Sequence, residues 1–250
     1  MATRTENEIA HARAVREMFG GIARRYDFLN HFLSVNTDKR WRRLVGKKLS
    51  DVLKNPNALV LDVACGTGDL SLELQKNSPA KIIGTDFCRP MLQIAFQKNA
   101  KYQTSIPYIE GDALSLPFES NRFDAATIAF GLRNLANWRD GLIELHRILK
   151  PGGRLAILEF SCPVIPGFRQ LFNFYFTTVL PRIGGAVSGS RGAYEYLPDS
   201  VQRFPNQKEL AKMLAETGFE GVEFQNLTGG IAAIHLGEKK SGKKMGMKIG

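Results

Sequence analysis

From Ala58 onward the chain alternates short apolar runs with amphipathic segments. LVLDVA (59–64), KIIGTD (81–86), IPYIEGD (106–112), FDAATIAFG (123–131), RLAILEF (154–160), VEFQNLT (222–228) and IAAIHLG (231–237) read as strands. Between them, Asp69 to Gln75, Met91 to Ala100, Trp138 to Leu149 and Asn206 to Thr217 carry helical spacing. Strands alternating with helices predict right-handed crossovers and a mostly parallel sheet with helices on both faces. Gly229-Gly230 separates the last two strands by two residues, which predicts a hairpin and an antiparallel last strand. The expected fold is α/β and Rossmann-like, with seven strands.

The two ends differ from this middle. Residues 8–18 have helical spacing (Ile9, Ala12, Val15, Met18), then FGG intervenes, and Phe28, Leu29, Phe32 and Leu33 resume it. Asp38 is the expected N-cap of a helix containing Trp41, Leu44, Val45 and Leu49. Residues 1–54 thus form a helical unit that caps the domain and closes over its ligand site as a lid. The sheet domain occupies 55–237. Its pattern breaks at 161–204, a stretch with four prolines and the run FRQLFNFYFTTVLPRIGGAVSG, read as an inserted helix and loop. Residues 238–250 read as a basic, low-complexity, disordered tail.

The net charge of +10 changes the picture in one respect. Residues 1–50 carry eleven Lys/Arg and five acids, and 238–250 five lysines and one acid, whereas 51–237 holds 18 of each sign. Basicity therefore belongs to the ends, which suit an anionic lipid surface or solvated solubilising segments. A neutral core domain argues against a nucleic-acid partner. No run approaches 18 uninterrupted apolar residues, so no transmembrane helix is expected. Cys65, Cys88 and Cys162 are odd in number and far apart, as expected of reduced thiols in a cytosolic protein. The four scattered histidines show no zinc-like spacing, and no metal site is expected.

The chemistry concentrates where LVLDVACGTGDL leaves the first strand. In open α/β sheets ligands sit beyond the carboxyl ends of the strands. Gly66 and Gly68 let backbone approach a ligand closely. Asp86 ends the second strand, twenty residues after Gly66, where a carboxylate accepts both hydroxyls of a ribose. Asp112 ends the third and suits an exocyclic adenine amine, with Ala113 giving an N–H and a small wall. The pyrophosphate fingerprint wants a third glycine where this chain has Ser71. Asp62 and Asp69 flank the loop and would repel a diphosphate, and no Lys or Arg lies in 55–75 to offset them. S-adenosylmethionine, with ribose, adenine, ammonium and sulfonium but no phosphate, fits better.

With these residues in place, the sequence resembles the class I S-adenosylmethionine-dependent methyltransferases. More narrowly it resembles the ubiquinone/menaquinone biosynthesis C-methyltransferases. The resemblance covers about 10–237 and rests on FGGIARRYDFLNHFLS, VLDVACGTGDLS, GTDFCRPML, ALSLPFESNRFDAATIAFGLRN, LKPGGRLAILEFS and YLPDSVQRFP. It implies cofactor contacts at Thr67, Asp86, Asp112 and Ala113, with Ala129 where some members have serine. It implies methyl transfer to a ring carbon of a polyprenylated quinol. Cys65 looks more like the menaquinone-pathway members (demethylmenaquinol to menaquinol) than the ubiquinone-pathway ones, whose benzoquinol stays the alternative. Another small-molecule phenol, sterol or lipid is the runner-up substrate.

Three residues stand out for the transfer. Arg133 follows the fourth strand and suits stabilisation of a developing phenolate. Asn134 would fix its orientation, and Tyr26 of the lid would hydrogen-bond a quinol oxygen. Phe168, Phe172, Phe174, Tyr175 and Phe176 suit an isoprenoid groove or a membrane-facing surface. The same aromatics equally suit the insertion's own core or a homodimer contact. Arg24, Arg25, Lys39, Arg40, Arg42 and Arg43 suit an anionic bilayer at the inner face of the membrane.

Overall fold

The computed structural model describes residues 4–33, 36–76, 78–165, 167, 170 and 191–241, without the side chains of 24–25, 28–33 and 191–195. The expected aromatic insertion residues Phe168, Phe172, Phe174, Tyr175 and Phe176 lie outside it, as do the side chains of Arg24 and Arg25 and the tail beyond Ser241.

Seven strands form one sheet in the order β3-β2-β1-β4-β5-β7-β6. They are β1 (Leu59–Val63), β2 (Lys81–Asp86), β3 (Tyr108–Glu110), β4 (Phe123–Ala129), β5 (Leu149–Phe160), β6 (Phe219–Leu227) and β7 (Ala232–Lys239). β7 lies between β5 and β6 and is antiparallel to both, and the other pairings are parallel. The helices are α1 (Glu6–Leu33), α2 (Thr37–Lys48), α3 (Ser50–Leu53), α4 (Asp69–Gln75), α5 (Arg89–Tyr102), α6 (Trp138–Ile148), α7 (Arg191–Arg203) and α8 (Gln207–Glu216).

Successive residues of a strand face opposite sides of the sheet, so continuous apolar runs need cover on both. Val60 and Ile82 pack with Trp41, Val45, Leu74 and Leu92 from α2, α4 and α5. Leu61 and Ile128 pack with Leu142, Leu145, Leu210 and Leu214 from α6 and α8. Local signals set several helix starts. Asn137 accepts from the Asp140 N–H at the head of α6, and Asn206 with Glu209 forms a capping box on α8.

The helical spacing on either side of Gly20-Gly21 belongs to one helix, α1, where a Cβ at Gly20 would find only Pro90 and Cys88 at ordinary contact distance. Two local expectations change. Asp38 does not cap α2; Asn36 holds the N-cap position in a left-handed conformation without a side-chain capping bond, while Asp38 is buried inside the helix against Arg42. β3 spans only Tyr108–Glu110, since Asp112 turns away to bridge with Ser115. The helix expected within 161–204 has a counterpart among the described residues: α7 packs back against α1 and the 3-10 turn Leu132–Asn134. Among the described residues no helix is long and apolar enough to cross a membrane.

Candidate active site

β1 connects outward to β2 and β3 on one side, while β4 and β5 continue on the other. The loops after β1 and β4 therefore part, and a crevice opens between them. A cavity of about 1010 Å³, counting its open mouth, occupies that crevice and runs along the carboxyl ends of β1, β2 and β4. Its walls include Asp62, Gly66 and Thr67 after β1, Asp86 and Cys88 after β2, and Asp112 and Ala113 beyond β3. Phe130, Gly131 and Asn134 after β4 and Ala12, Val15, Phe19 and Tyr26 of α1 complete them. The expected lid and the expected cofactor residues thus share one cavity.

The two loop glycines have different jobs. Gly66 has φ +56°, and a Cβ there would meet only Tyr26, 4.0 Å away, so it opens bare backbone to the cavity. Gly68 has φ +81°, and a Cβ there would sit 2.4 Å from the Tyr108 hydroxyl. Gly68 is not among the cavity walls; it lets the loop turn into α4 beneath Tyr108. Of the two glycines expected to approach a ligand, only Gly66 opens on the cavity. Beyond the neighbouring strands, Ala64 (φ +50°) and Phe130 (φ +57°) also adopt the left-handed region that L residues avoid.

Asp62 and Asp86 are buried, Asp112 is half-buried, and all three are occupied. Asp86 accepts the Gly66 and Cys88 N–H groups at 2.8 Å each. Asp62 accepts from Ser71 at 2.6 Å and Thr127 at 2.9 Å. Burial pushes both acids up to about 6, opposed by these hydrogen bonds. Ser71, which the motif shows only as a missing glycine, is thus the hydroxyl that holds Asp62. Asp112 accepts the Leu114 N–H at 2.9 Å and pairs with Arg4 at 2.6 Å. Burial, followed by the charges of Asp86 and Asp62, raises the Cys65 thiol and keeps it protonated.

The expectation that no cation offsets the loop acids fails once the chain folds. Lys98 of α5 pairs with Asp69 at 2.5 Å and with Asp27 of α1 at 2.7 Å. It also donates to Thr67 at 3.1 Å, while Thr67 donates to Asp27 at 2.5 Å. Arg42 of α2 pairs with Asp38 and stands 3.6 Å from Asp69. Both cations lie outside the 55–75 window. Arg42 is also not the surface cation expected at a bilayer: it is buried and lines the cavity, whereas Lys39, Arg40 and Arg43 are exposed.

Past β4, Arg133 is buried. Its Nη1 donates to the Phe130 carbonyl at 2.5 Å and to Glu159 at 2.8 Å, and its guanidinium lies 5.3 Å from the Phe160 ring centroid. It is not among the cavity walls, so contact with a phenolate would require the Glu159 pair to open. Asn134 does line the cavity, but its amide donates to the Phe130 carbonyl at 3.2 Å instead of orienting the guanidinium. Tyr196 of α7 donates to the Asn134 side chain at 3.1 Å, a role that only its place in YLPDS hints at. Among the described residues no group of three or more His, Cys, Asp or Glu is arranged to hold a metal ion.

This fold recurs among solved structures. A SAM-dependent methyltransferase of Thermotoga maritima superimposes with a TM-score of 0.66 at 18% identity, covering 90% of this chain and 100% of that one. Haemonchus contortus phosphoethanolamine N-methyltransferase 2, solved with S-adenosyl-L-methionine, gives 0.56 at 15% identity, covering 78% and 53%. The architecture is thus that of the SAM-dependent methyltransferases.

Sequence comparison narrows the class. The model of the ubiE/COQ5 methyltransferase family matches residues 6–239. Demethylmenaquinone methyltransferase of Deinococcus radiodurans is 48% identical over 229 residues, covering 91% of this chain and 93% of that protein. Its counterpart in Thermus thermophilus is 47% identical over 223 residues, covering 89% and 100%. A ubiquinone/menaquinone biosynthesis C-methyltransferase of a Geobacter species is 45% identical over 229 residues, covering 90% and 96%. The chain belongs to the ubiE/COQ5 methyltransferase family.

Proposed function

We propose that this chain transfers a methyl group from S-adenosylmethionine to a ring carbon of a polyprenylated demethylmenaquinol, giving the menaquinol. One observation carries the reading: residues of the quinone-family motifs, Tyr26, Phe130, Gly131 and Asn134, converge with Asp86 and Gly66 of the glycine loop on one cavity. The names of the relatives at 48% and 47% identity supply the quinol. The relative named for both quinones, at 45%, supports the ubiquinone-pathway benzoquinol as the second reading.

The residues present suit this cofactor. Gly66 leaves room for its backbone-facing edge, Asp86 accepts from the ribose hydroxyls, and Asp112 accepts from the adenine amine beside Ala113. Asp62 contributes negative charge near the cofactor's ammonium, and Thr67 meets it through the loop. When bound, the cofactor supplies a methyl group on a sulfonium, an electrophile that needs no further activation.

The chain's own work is then alignment and charge control. Tyr26 hydrogen-bonds a quinol oxygen, and the Phe130 ring forms a wall against the quinol ring. Loss of the adjacent hydroxyl proton makes the ring carbon nucleophilic, and the ring proton leaves to water after transfer. Arg133, held by Glu159, positions the Phe130 carbonyl and keeps positive charge behind the site. Exposed Lys39, Arg40 and Arg43 on α2 support peripheral contact with an anionic membrane, where the substrate's isoprenoid tail resides. Quinone profiling of a strain lacking the gene tests the reading. Accumulated demethylmenaquinone is the expected result, an accumulated benzoquinone precursor would favour the second reading, and an unchanged profile would overturn both.

A further inference from the structure

We propose that Arg42 of α2 binds the methionine carboxylate of the cofactor; this rests on the cofactor reading above and extends it to a residue outside the loop motifs. S-adenosylmethionine has one negative group. Four acids wall the cavity, Asp62, Asp69, Asp86 and Asp112, two of them paired with Lys98 and Arg4, and this surround disfavours that group unless a further cation meets it. Among the described residues lining the cavity, Arg42 is the only Lys or Arg.

The alternatives are committed elsewhere. Arg133 is spent on Glu159 and the Phe130 carbonyl. Lys98 lies between Asp27 and Asp69, behind Thr67. Arg4 sits on Asp112, at the end where adenine is expected.

Arg42 also stands at the right end. Asp86 and Asp112 follow β2 and β3, which puts ribose and adenine on that side of the crevice. Arg42 stands 3.6 Å from Asp69 at the head of α4, and its guanidinium carbon is 5.9 Å from the Phe130 ring centroid after β4. Its charge also acts on Asp62. That is the end opposite adenine, where the amino-acid part of the ligand must extend.

Its chemistry fits. The side chain is 9% exposed, so a charge pair formed there is little screened. Nη1 is taken by Asp38, which aims the planar fork, and Nε and Nη2 have no hydrogen-bond partner among the described residues. Two parallel N–H donors are what a carboxylate accepts.

Calorimetry with two ligands tests this. S-adenosylhomocysteine carries the carboxylate, and S-adenosyl-3-thiopropylamine is the same molecule without it. The wild-type enzyme is expected to prefer the former by about 10- to 100-fold, the range of a charge-assisted hydrogen-bonded contact. Arg42→Met would strand the buried Asp38, so it is paired with Asp38→Asn. That double variant is expected to bind the two ligands with similar affinity and to hold the amine as the wild type does. Arg42→Lys keeps the charge and is expected to shrink the preference without abolishing it. An unchanged ratio in both variants overturns the proposal, as does equal weakening toward both ligands. If the wild-type enzyme binds neither ligand, the cofactor reading itself has failed, which is a distinct result.

Discussion

Thr67, in the turn of the glycine loop, donates a 2.5 Å hydrogen bond to Asp27 of the long first helix. The same carboxylate pairs with Lys98 of α5. The loop that faces the cofactor site is therefore tied to the helix that covers it, and Tyr26, one residue before Asp27, lines the cavity. Asp27→Ala removes the tie and leaves Lys98 with Asp69. We expect about 1–3 kcal/mol less stability, the range for hydrogen bonds to charged groups. Amide exchange along residues 12–26 should quicken, and KM for the quinol should rise more than kcat falls. Unaltered exchange in α1 would show that the tie does not hold the lid.

The two buried acids give opposite pH responses for stability and for binding. Asp62 and Asp86 are pushed up to about 6 from the ordinary 3.8. Each therefore holds its proton more tightly in the folded chain than in the unfolded one. Each contributes stability that is full below about pH 4 and is lost as pH rises through about 6. Asp62→Asn does not titrate, so its melting temperature should gain on the wild type between pH 4 and 6, then run parallel. Binding runs the other way, because ionised Asp86 is the better acceptor for ribose hydroxyls. Affinity for S-adenosylhomocysteine should fall as pH drops below about 6, and Asp86→Asn should bind weakly with a shallower pH slope. A wild-type affinity flat from pH 5 to 7 would contradict this.

Alanine at the two loop glycines should separate binding from stability. Both positions are left-handed, which costs an L residue about 1–2 kcal/mol. Gly66→Ala adds little beyond that to the folding cost, since its Cβ meets only Tyr26, yet it fills the backbone face offered to the cofactor. Gly68→Ala adds a collision with the Tyr108 hydroxyl at 2.4 Å. Among the described residues that buried hydroxyl has no hydrogen-bond partner, so Tyr108→Phe should leave stability near or above the wild type. In the Gly68→Ala background it should recover part of the loss. Chemical denaturation and calorimetry together check the split: Gly66→Ala should lose mainly affinity, Gly68→Ala mainly stability.

Periodicity was sufficient for the frame. Seven apolar runs became seven strands, and Gly229-Gly230 lies in the connection that reverses the last one. Asp86 was legible because a carboxylate at the end of β2, twenty residues past Gly66, lies beside the loop in any such sheet. The misses share a cause. Arg42 and Lys98 reach the loop acids from helices 27 and 29 residues away from Asp69, and no local window reports such a pair. Glu159 answers Arg133 across 26 residues, through the pairing of β4 with β5. What failed was the assumption that charge near a loop in sequence equals charge near it in space.

Arg133 and Glu159 allow a catalytic contact to be told from a positioning one. Arg133→Ala alone is ambiguous. It strands Glu159, which is 1% exposed, and removing one member of a buried pair costs about 3–5 kcal/mol. Lost activity would follow from that alone. Arg133→Met with Glu159→Gln removes both charges together. Glutamine keeps one acceptor, its amide oxygen, for the Phe160 N–H, which Glu159 now accepts at 2.9 Å, and gives up only the longer 3.3 Å bond from the Arg133 N–H. Asn134 still holds the Phe130 carbonyl. The double variant should therefore melt close to the wild type, well above Arg133→Ala. If Arg133 works by holding the turn, turnover should recover along with stability, and the remaining defect should sit in KM for the quinol. If instead the guanidinium leaves Glu159 to meet the phenolate, the double variant will melt like the wild type yet turn over no faster than the single one. Steady-state kinetics beside melting curves on the three proteins distinguish the two, because only the second case uncouples activity from fold.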